Sequence, residues 1–113
     1  LEFRRVLFRS FYDNDMIGLV FKNDSKDKQY TMEVYTTDGK LKFKENFNIP
    51  YTTIKLSGGN ILMYNSSQMC VMNSRGVQKY LGSVDGTIKD FFKIGMNRYL
   101  LVLDSGVEII KLS

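Results

Sequence analysis

The chain repeats itself at a spacing of 37 to 38 residues, and this repeat constrains its fold more than any other feature. Residues 34–39 recur as residues 71–76, a shift of 37, and residues 55–62 recur as residues 93–100, a shift of 38. Each copy consists of short β-type runs broken by turns that contain glycine. A repeat of about 40 residues that holds about four strands is typical of one blade of a β-propeller.

Strand candidates follow one another along the whole chain. No stretch offers the ten or more residues at a period of 3.6 that a helix needs without a glycine or a turn cluster. Turn residues separate the runs, and Asp38-Gly39 is predicted to form a hairpin turn of the preferred type. The ten predicted strands span residues 16–22, 29–36, 40–47, 51–56, 61–64, 68–72, 77–81, 88–94, 99–103 and 107–112.

Two of these strands favour one β architecture over another. Residues 61–64 and 99–103 are apolar on both faces and occupy matching places in consecutive repeats. Stacked blades cover both faces of a strand, whereas a two-sheet sandwich covers only one face of each sheet. The sequence therefore predicts an all-β fold of antiparallel four-stranded meanders, a fragment of a β-propeller with about two to three blades. A β-sandwich adhesin fragment is the alternative, and it predicts strands that exchange between sheets.

The repeats divide the chain into blades. We predict a partial blade over residues 11–49 that lacks its first strand, a full blade over residues 50–87 and a partial blade over residues 88–113. The exposed blade faces would then need the remaining blades of the same chain as partners.

The repeats also resemble a known group of proteins. The spacing, the Asp38-Gly39 and Arg75-Gly76 turns before the outer strands and the run over residues 97–102 are similar to bacterial β-propeller repeats of a family of unknown function. This resemblance implies a membrane anchor at the N-terminal side, followed by an extracytoplasmic propeller. It carries over no functional residue.

The first ten residues do not follow the repeat. Residues 1–10 resemble a translated sequencing-library adapter, as found at the ends of proteins predicted from metagenomic assemblies, and are interpreted as a non-native segment. A genuine basic strand over residues 4–9 is the alternative. Without residues 1–10 the chain has 13 basic and 11 acidic residues, because three arginines and one glutamate are removed from 16 and 12. A net charge of +2 gives no reason to expect a nucleic-acid partner.

Residues that could perform chemistry are scarce. The chain has no histidine, which removes the usual general base and the commonest metal ligand. The oxygen-rich residues 13–15 and the Gly58-Gly59 pair are interpreted as turns, and Cys70 as a small buried side chain. Six lysines could form either a basic patch for an anionic polymer or a solvated outer edge, and we favour the solvated edge. They are Lys22, Lys26, Lys28, Lys40, Lys42 and Lys44. We predict no catalytic, cofactor-binding or metal-binding residues.

Function is predicted from the repeat together with this lack of reactive groups. The first hypothesis is a non-enzymatic propeller scaffold whose loops bind a protein or a glycan. The alternative is part of a propeller enzyme of the glycosidase or lyase type, with Asp85, Asp90 and Asp104 as candidate acids in the central channel.

Overall fold

The computed structural model describes residues 5–13, 15–24 and 26–112, and the regular secondary structure in these ranges is entirely β-strand. The chain divides into two compact units, one up to Pro50 and one from Tyr51 onward. The described strands are β1 (Arg5–Tyr12), β2 (Met16–Asn23), β3 (Tyr30–Thr36), β4 (Leu41–Phe47), β5 (Thr53–Ser57), β6 (Asn60–Tyr64), β7 (Gln68–Met72), β8 (Gln78–Ser83), β9 (Ile88–Gly95), β10 (Arg98–Leu103) and β11 (Gly106–Lys111).

The first unit is one antiparallel meander in the order β1-β2-β3-β4. Burial alternates along β2, whereas β3 is buried on both faces from Tyr30 to Val34, and the fully buried side chains include Val20, Met32 and Val34. Phe11 lies opposite Gly18 on the neighbouring strand, and a Cβ atom at Gly18 would come within 2.0 Å of the Phe11 ring. Gly18 therefore makes room for the ring of Phe11.

The strand count of this unit differs from the prediction. We predict a first blade that begins at residue 11 and lacks its first strand, but β1 pairs with β2 from Arg5 to Tyr12 and completes four strands. Half of the residues of β1 are of types that favour strands, and the ring centroid of Phe8 lies 5.2 Å from that of Tyr30 on β3. The interpretation of residues 1–10 as an adapter stays a prediction, and residues 1–4 lie outside the described residues.

The second unit contains two meanders, a four-stranded sheet in the order β5-β6-β7-β8 and a three-stranded sheet in the order β9-β10-β11. Neighbours in the sequence are neighbours in each sheet, which confirms the antiparallel meander prediction. The described strands of the second unit do not exchange between sheets, as the sandwich alternative predicts they would. The two sheets pack through β6 and β9.

A single hydrophobic core joins these two sheets. Leu62 from β6 and Phe91 from β9 are fully buried within it. The aromatic rings of Tyr64 and Tyr99 flank Phe91, with ring centroids 6.2 Å and 5.7 Å away. The buried members are Leu62, Tyr64, Met69, Val71, Ile88, Phe91, Tyr99 and Leu101.

The two strands predicted to be apolar on both faces behave differently. Residues 61–64 are buried on both faces, which confirms the prediction for β6. In β10 only Tyr99 and Leu101 are buried, whereas Leu100 and Val102 are half-buried. Among the residues of the second unit that the structure describes, no further sheet covers that face of β10.

The sequence repeat is reproduced in the backbone hydrogen bonds. The N–H of Thr36 donates to the carbonyl oxygen of Lys40 at 2.8 Å, and the N–H of Asn73, 37 residues later, donates to Val77 at 2.9 Å. The glycine that closes each loop has a φ of 90° in the first and 85° in the second. Residues 37 apart therefore have the same role in successive sheets.

The turn between β3 and β4 is not of the predicted type. The bond from Thr36 to Lys40 encloses three residues, and of these only Gly39 has a positive φ. The preferred two-residue turn needs positive φ at both central positions, and Asp38 does not adopt it. The two-residue type occurs instead between β5 and β6, where Gly58 and Gly59 have φ values of 57° and 82°.

Candidate functional site

A cleft opens where the turns at one end of the second unit meet. Alternate turns of a meander lie at the same end of its sheet, and here these are the β5–β6, β7–β8 and β9–β10 turns. The N–H of Lys93 donates to Ser57 Oγ at 3.0 Å, and its ammonium donates to the carbonyl oxygen of Gly58 at 3.1 Å. The N–H of Leu112 donates to the carbonyl oxygen of Asn97 at 2.7 Å. We call this the cleft end.

The cleft has a volume of about 190 Å³ and a polar lining. Typical pockets for drug-sized ligands measure about 300–1,000 Å³, so this cleft suits one small group, such as a side chain or a single ring. The described lining contains no carboxylate. It consists of Asn60, Asn73, Lys79, Lys93, Asn97, Tyr99 and Leu112.

The floor of the cleft is held by a bond between the two sheets. The ring of Tyr99 is buried in the core, with 1% of the residue exposed. Its hydroxyl accepts a hydrogen bond from Asn60 Nδ2 at 2.6 Å. Because Asn60 belongs to β6 and Tyr99 to β10, this bond fixes the two sheets at the base of the cleft.

The β7–β8 turn supplies a second amide and a cation. Asn73 Oδ1 accepts hydrogen bonds from the N–H groups of Arg75 and Val77 at 2.9 and 3.0 Å. The network therefore assigns the acceptor oxygen to the turn and leaves Nδ2 as the donor group. Lys79, on β8, is exposed.

Lys93 and Asn97 complete the lining from the third sheet. The Lys93 stem crosses the β5–β6 turn so closely that a Cβ atom at Gly58 would come within 2.6 Å of Lys93 Cδ. Asn97 has a φ of 58°, a left-handed conformation that asparagine tolerates better than most residues. Gly59, 38 residues earlier, also has a positive φ, of 82°. The repeat thus places Asn97 at a position that requires left-handed backbone.

Asp90, one of the three acids of the enzyme hypothesis, has several partners in the second unit. Its Oδ1 lies 2.7 Å from Lys55 Nζ, accepts a hydrogen bond from Tyr64 Oη at 2.9 Å and accepts another from the N–H of Phe91 at 2.9 Å. Burial by itself would raise the pKa of Asp90, but these hydrogen bonds and the charge of Lys55 outweigh it and lower the pKa. Burial, followed by the bond to Asp90, raises the pKa of Tyr64 to about 12.

The other two acids lie at the opposite end of the sheets from the cleft. Asp85 is exposed between β8 and β9. Asp104 is exposed between β10 and β11, and its Oδ1 accepts a hydrogen bond from the N–H of Thr87 at 3.1 Å. Neither acid lines the cleft, so the described cleft and the predicted acids are separate features.

The oxygen-rich segment and the glycine pair form turns, as predicted. Asp13 Oδ1 accepts hydrogen bonds from the N–H groups of Asp15 and Met16 at 2.7 and 2.9 Å, and Asn14 lies outside the described residues. Gly58 and Gly59 close the β5–β6 hairpin. Within the described ranges, no group of three or more histidine, cysteine, aspartate or glutamate side chains could hold a metal ion.

Cys70 and the lysines of the first unit occupy the predicted environments. Cys70 is buried with 2% exposed, and burial raises the pKa of its thiol to about 11, although a hydrogen bond with Tyr51 opposes the shift. All six lysines considered for a basic patch are exposed: Lys22, Lys26, Lys28, Lys40, Lys42 and Lys44.

Helices long and apolar enough to cross a membrane are absent from the part of the chain that the structure describes.

Few sequence signals mark the residues that line the cleft. Asn60, Asn73 and Asn97 appear in the sequence only as turn residues, which asparagine commonly is. The available signal was the topology, because the repeat predicts that alternate turns of successive blades meet at one end. An asparagine in each of three such turns is the pattern that could have identified the cleft.

The folded chain is an all-β protein of sequential antiparallel meanders, and its fold is similar to that of a β-propeller protein. It superposes on the crystal structure of HIRA(644-1017) with a TM-score of 0.68 and 13% sequence identity, over 91% of this chain and 36% of that chain. The chain thus spans about a third of that structure, and at this identity the similarity shows the fold alone.

The chain belongs to the Family of unknown function (DUF5711), which it matches over residues 2–112. No curated protein matches the sequence. These findings confirm the predicted propeller-like, all-β fold and the predicted membership of a family of unknown function.

Proposed function

We propose that this chain is part of a non-enzymatic β-propeller scaffold that binds a protein or glycan partner at the cleft end. One observation carries the proposal: polar side chains from three turns of two adjacent sheets converge on one cleft. Binding residues are often found on loops that a rigid scaffold positions.

The fixed positions of these side chains support a binding role. Asn60 is tied to the Tyr99 hydroxyl at 2.6 Å, and Lys93 is tied to the β5–β6 turn at 3.1 Å. Side chains that are already ordered lose little conformational entropy when a ligand binds, and this raises affinity. The cleft is therefore suited to recognition.

The environment of Asp90 argues against its acting as the general acid in the enzyme alternative. A general acid of a glycosidase needs a raised pKa, whereas the bonds from Lys55, Phe91 and Tyr64 lower the pKa of Asp90. The bond between Lys55 on β5 and Asp90 on β9 joins two sheets, which is a structural role.

Binding to arrays of immobilised polysaccharides and peptides tests the proposal. The variant Lys79→Glu reverses a charge in the cleft, and Lys42→Glu makes the same charge change on β4, where the side chain is also exposed. We expect wild type and Lys42→Glu to bind the same probes, and Lys79→Glu to lose at least one of them.

Two results would contradict the proposal. Binding that is unchanged in Lys79→Glu would show that the cleft is not the binding site, and a loss in Lys42→Glu alone would favour the lysines of the first unit. Release of new reducing ends or unsaturated products from a polysaccharide, abolished in Asp90→Asn, would establish the enzyme alternative.

A further inference from the structure

We propose that the cleft recognises a carboxylated sugar ring, of the hexuronate type, within an acidic polysaccharide. This inference rests on the proposed function and names the class of ligand for the same cleft. It follows from the charge, the hydrogen-bonding groups and the size of the cleft.

The charge of the lining favours an anion. Two cationic residues, Lys79 and Lys93, line a cleft whose described lining has no carboxylate. The Lys93 ammonium donates one hydrogen bond, to the carbonyl oxygen of Gly58, so two of its three protons stay available. A carboxylate in the cleft would receive charge-assisted hydrogen bonds, which are the stronger kind.

The neutral groups favour hydroxyls beside that carboxylate. Asn60 uses its Nδ2 on Tyr99, which leaves Oδ1 as an acceptor, and Asn73 uses its Oδ1 in its own turn, which leaves Nδ2 as a donor. The exposed amide of Asn97 can do both. A sugar hydroxyl both donates and accepts, so this mixed set matches a ring with several hydroxyls. An isolated carboxylate would use only the cations.

The size and position of the cleft fit one ring of a longer chain. A volume of about 190 Å³ suits a single ring rather than a drug-sized ligand. Lys79 and Asn97 line the cleft and are exposed, so a polymer bound there can continue into solvent.

Titration of the wild-type chain with polygalacturonate, followed by calorimetry, tests the inference. Fully methyl-esterified polygalacturonate has the same backbone without the charge, and poly-glutamate has the charge without the sugar. We expect binding to polygalacturonate that weakens with added salt, and binding at least tenfold weaker to the other two polymers.

Three variants locate the binding. Lys79→Ala should weaken binding to polygalacturonate about three- to tenfold, since it removes one exposed charge-assisted bond. Asn97→Gly keeps a residue that tolerates the left-handed backbone and removes only the amide, so we expect about a threefold loss. Lys42→Ala, the matched control on β4, should bind as wild type does.

The outcomes separate this inference from the proposed function. If Lys79 is required for binding poly-glutamate or the esterified polymer, the ligand class is wrong but the cleft remains a binding site. If polygalacturonate binds equally well to Lys79→Ala and wild type, or is weakened equally by Lys42→Ala, the inference is wrong and the interaction is a general charge effect. Absence of binding to polygalacturonate also overturns it, and the array then tests the proposed function independently.

Discussion

Two neighbouring phenylalanines offer a direct test of the core between the sheets of the second unit. Phe91 and Phe92 are adjacent on β9 and point to opposite faces of the sheet. Phe91 is 0% exposed and Phe92 is 39% exposed. The same substitution to alanine at both positions therefore compares the packed face with the partly open face of one strand.

The structure sets the expected magnitudes. Phe91→Ala removes a ring that packs between Tyr64 and Tyr99, and deletion of a buried phenylalanine side chain costs about 3–5 kcal/mol of unfolding free energy. Phe92 packs under Lys55, whose Nζ lies 4.2 Å from its ring centroid. With partial burial and an exposed cation–π contact, Phe92→Ala should cost about 1–2 kcal/mol.

Urea unfolding followed by far-UV circular dichroism measures both losses, and tyrosine fluorescence gives a second probe since the chain has no tryptophan. For a urea slope of about 2 kcal/mol per molar, a loss of about 4 kcal/mol lowers the midpoint by about 2 M. Phe92→Ala should lower it by less than 1 M.

A Phe91→Ala midpoint at or above that of Phe92→Ala would refute the reasoning. It would mean that β9 does not pack against β6 through Phe91 in the folded protein. The stacked arrangement of the second and third sheets would then be wrong, whereas the strand order within each sheet could still hold.

Three further predictions concern single sites. Asp90→Asn should lower the unfolding free energy by about 1 kcal/mol at pH 7. Because the folded-state pKa of Asp90 is lowered, its contribution to stability is present above the ordinary aspartate range and is lost as the pH falls through the folded-state pKa. The urea midpoints of variant and wild type should therefore converge when they are measured at increasingly acid pH. Asn97→Ala should be about 1 kcal/mol less stable than Asn97→Gly in thermal unfolding, because alanine is strained at a φ of 58°, and equal stabilities would contradict this backbone conformation. Cys70 in the folded protein should react with a thiol reagent at pH 8 far more slowly than Cys70 in the urea-unfolded chain, since the folded thiol is buried and its pKa is about 11. Equal reaction rates in the two states would show that this part of β7 is open.

Much of the fold could be predicted because it depends on local patterns. Short runs of alternating or continuous apolar residues between turns located ten of the eleven described strands, and the shift of 37 residues related the turns that begin at Thr36 and Asn73. Residues 5–10 of the strand over Arg5–Tyr12 were not assigned to the first blade, because residues 1–10 do not follow the repeat and resemble a translated adapter. The strand pairs with β2, and its aromatic and β-branched residues favour that conformation.

The cleft could not be predicted from single residues. Asn60 and Asn73 are ordinary turn residues in the sequence, and Lys79 is an ordinary lysine of an outer strand. Their shared position at the cleft depends on two turns of one sheet and one turn of the next reaching the same end. Periodicity predicts each strand but does not give the distance between side chains on different sheets.

The sequence by itself determined the all-β class, the meander order and the repeating turns, because these depend on alternation and on glycine at left-handed positions. Only the tertiary structure decided that Asp90 is ion-paired with Lys55 and that Asn60 meets Tyr99 at the base of a polar cleft. The physical reason is that both interactions join residues 35 to 39 positions apart on separate sheets. Such contacts are set by how the sheets pack on their shared core, which no local pattern records.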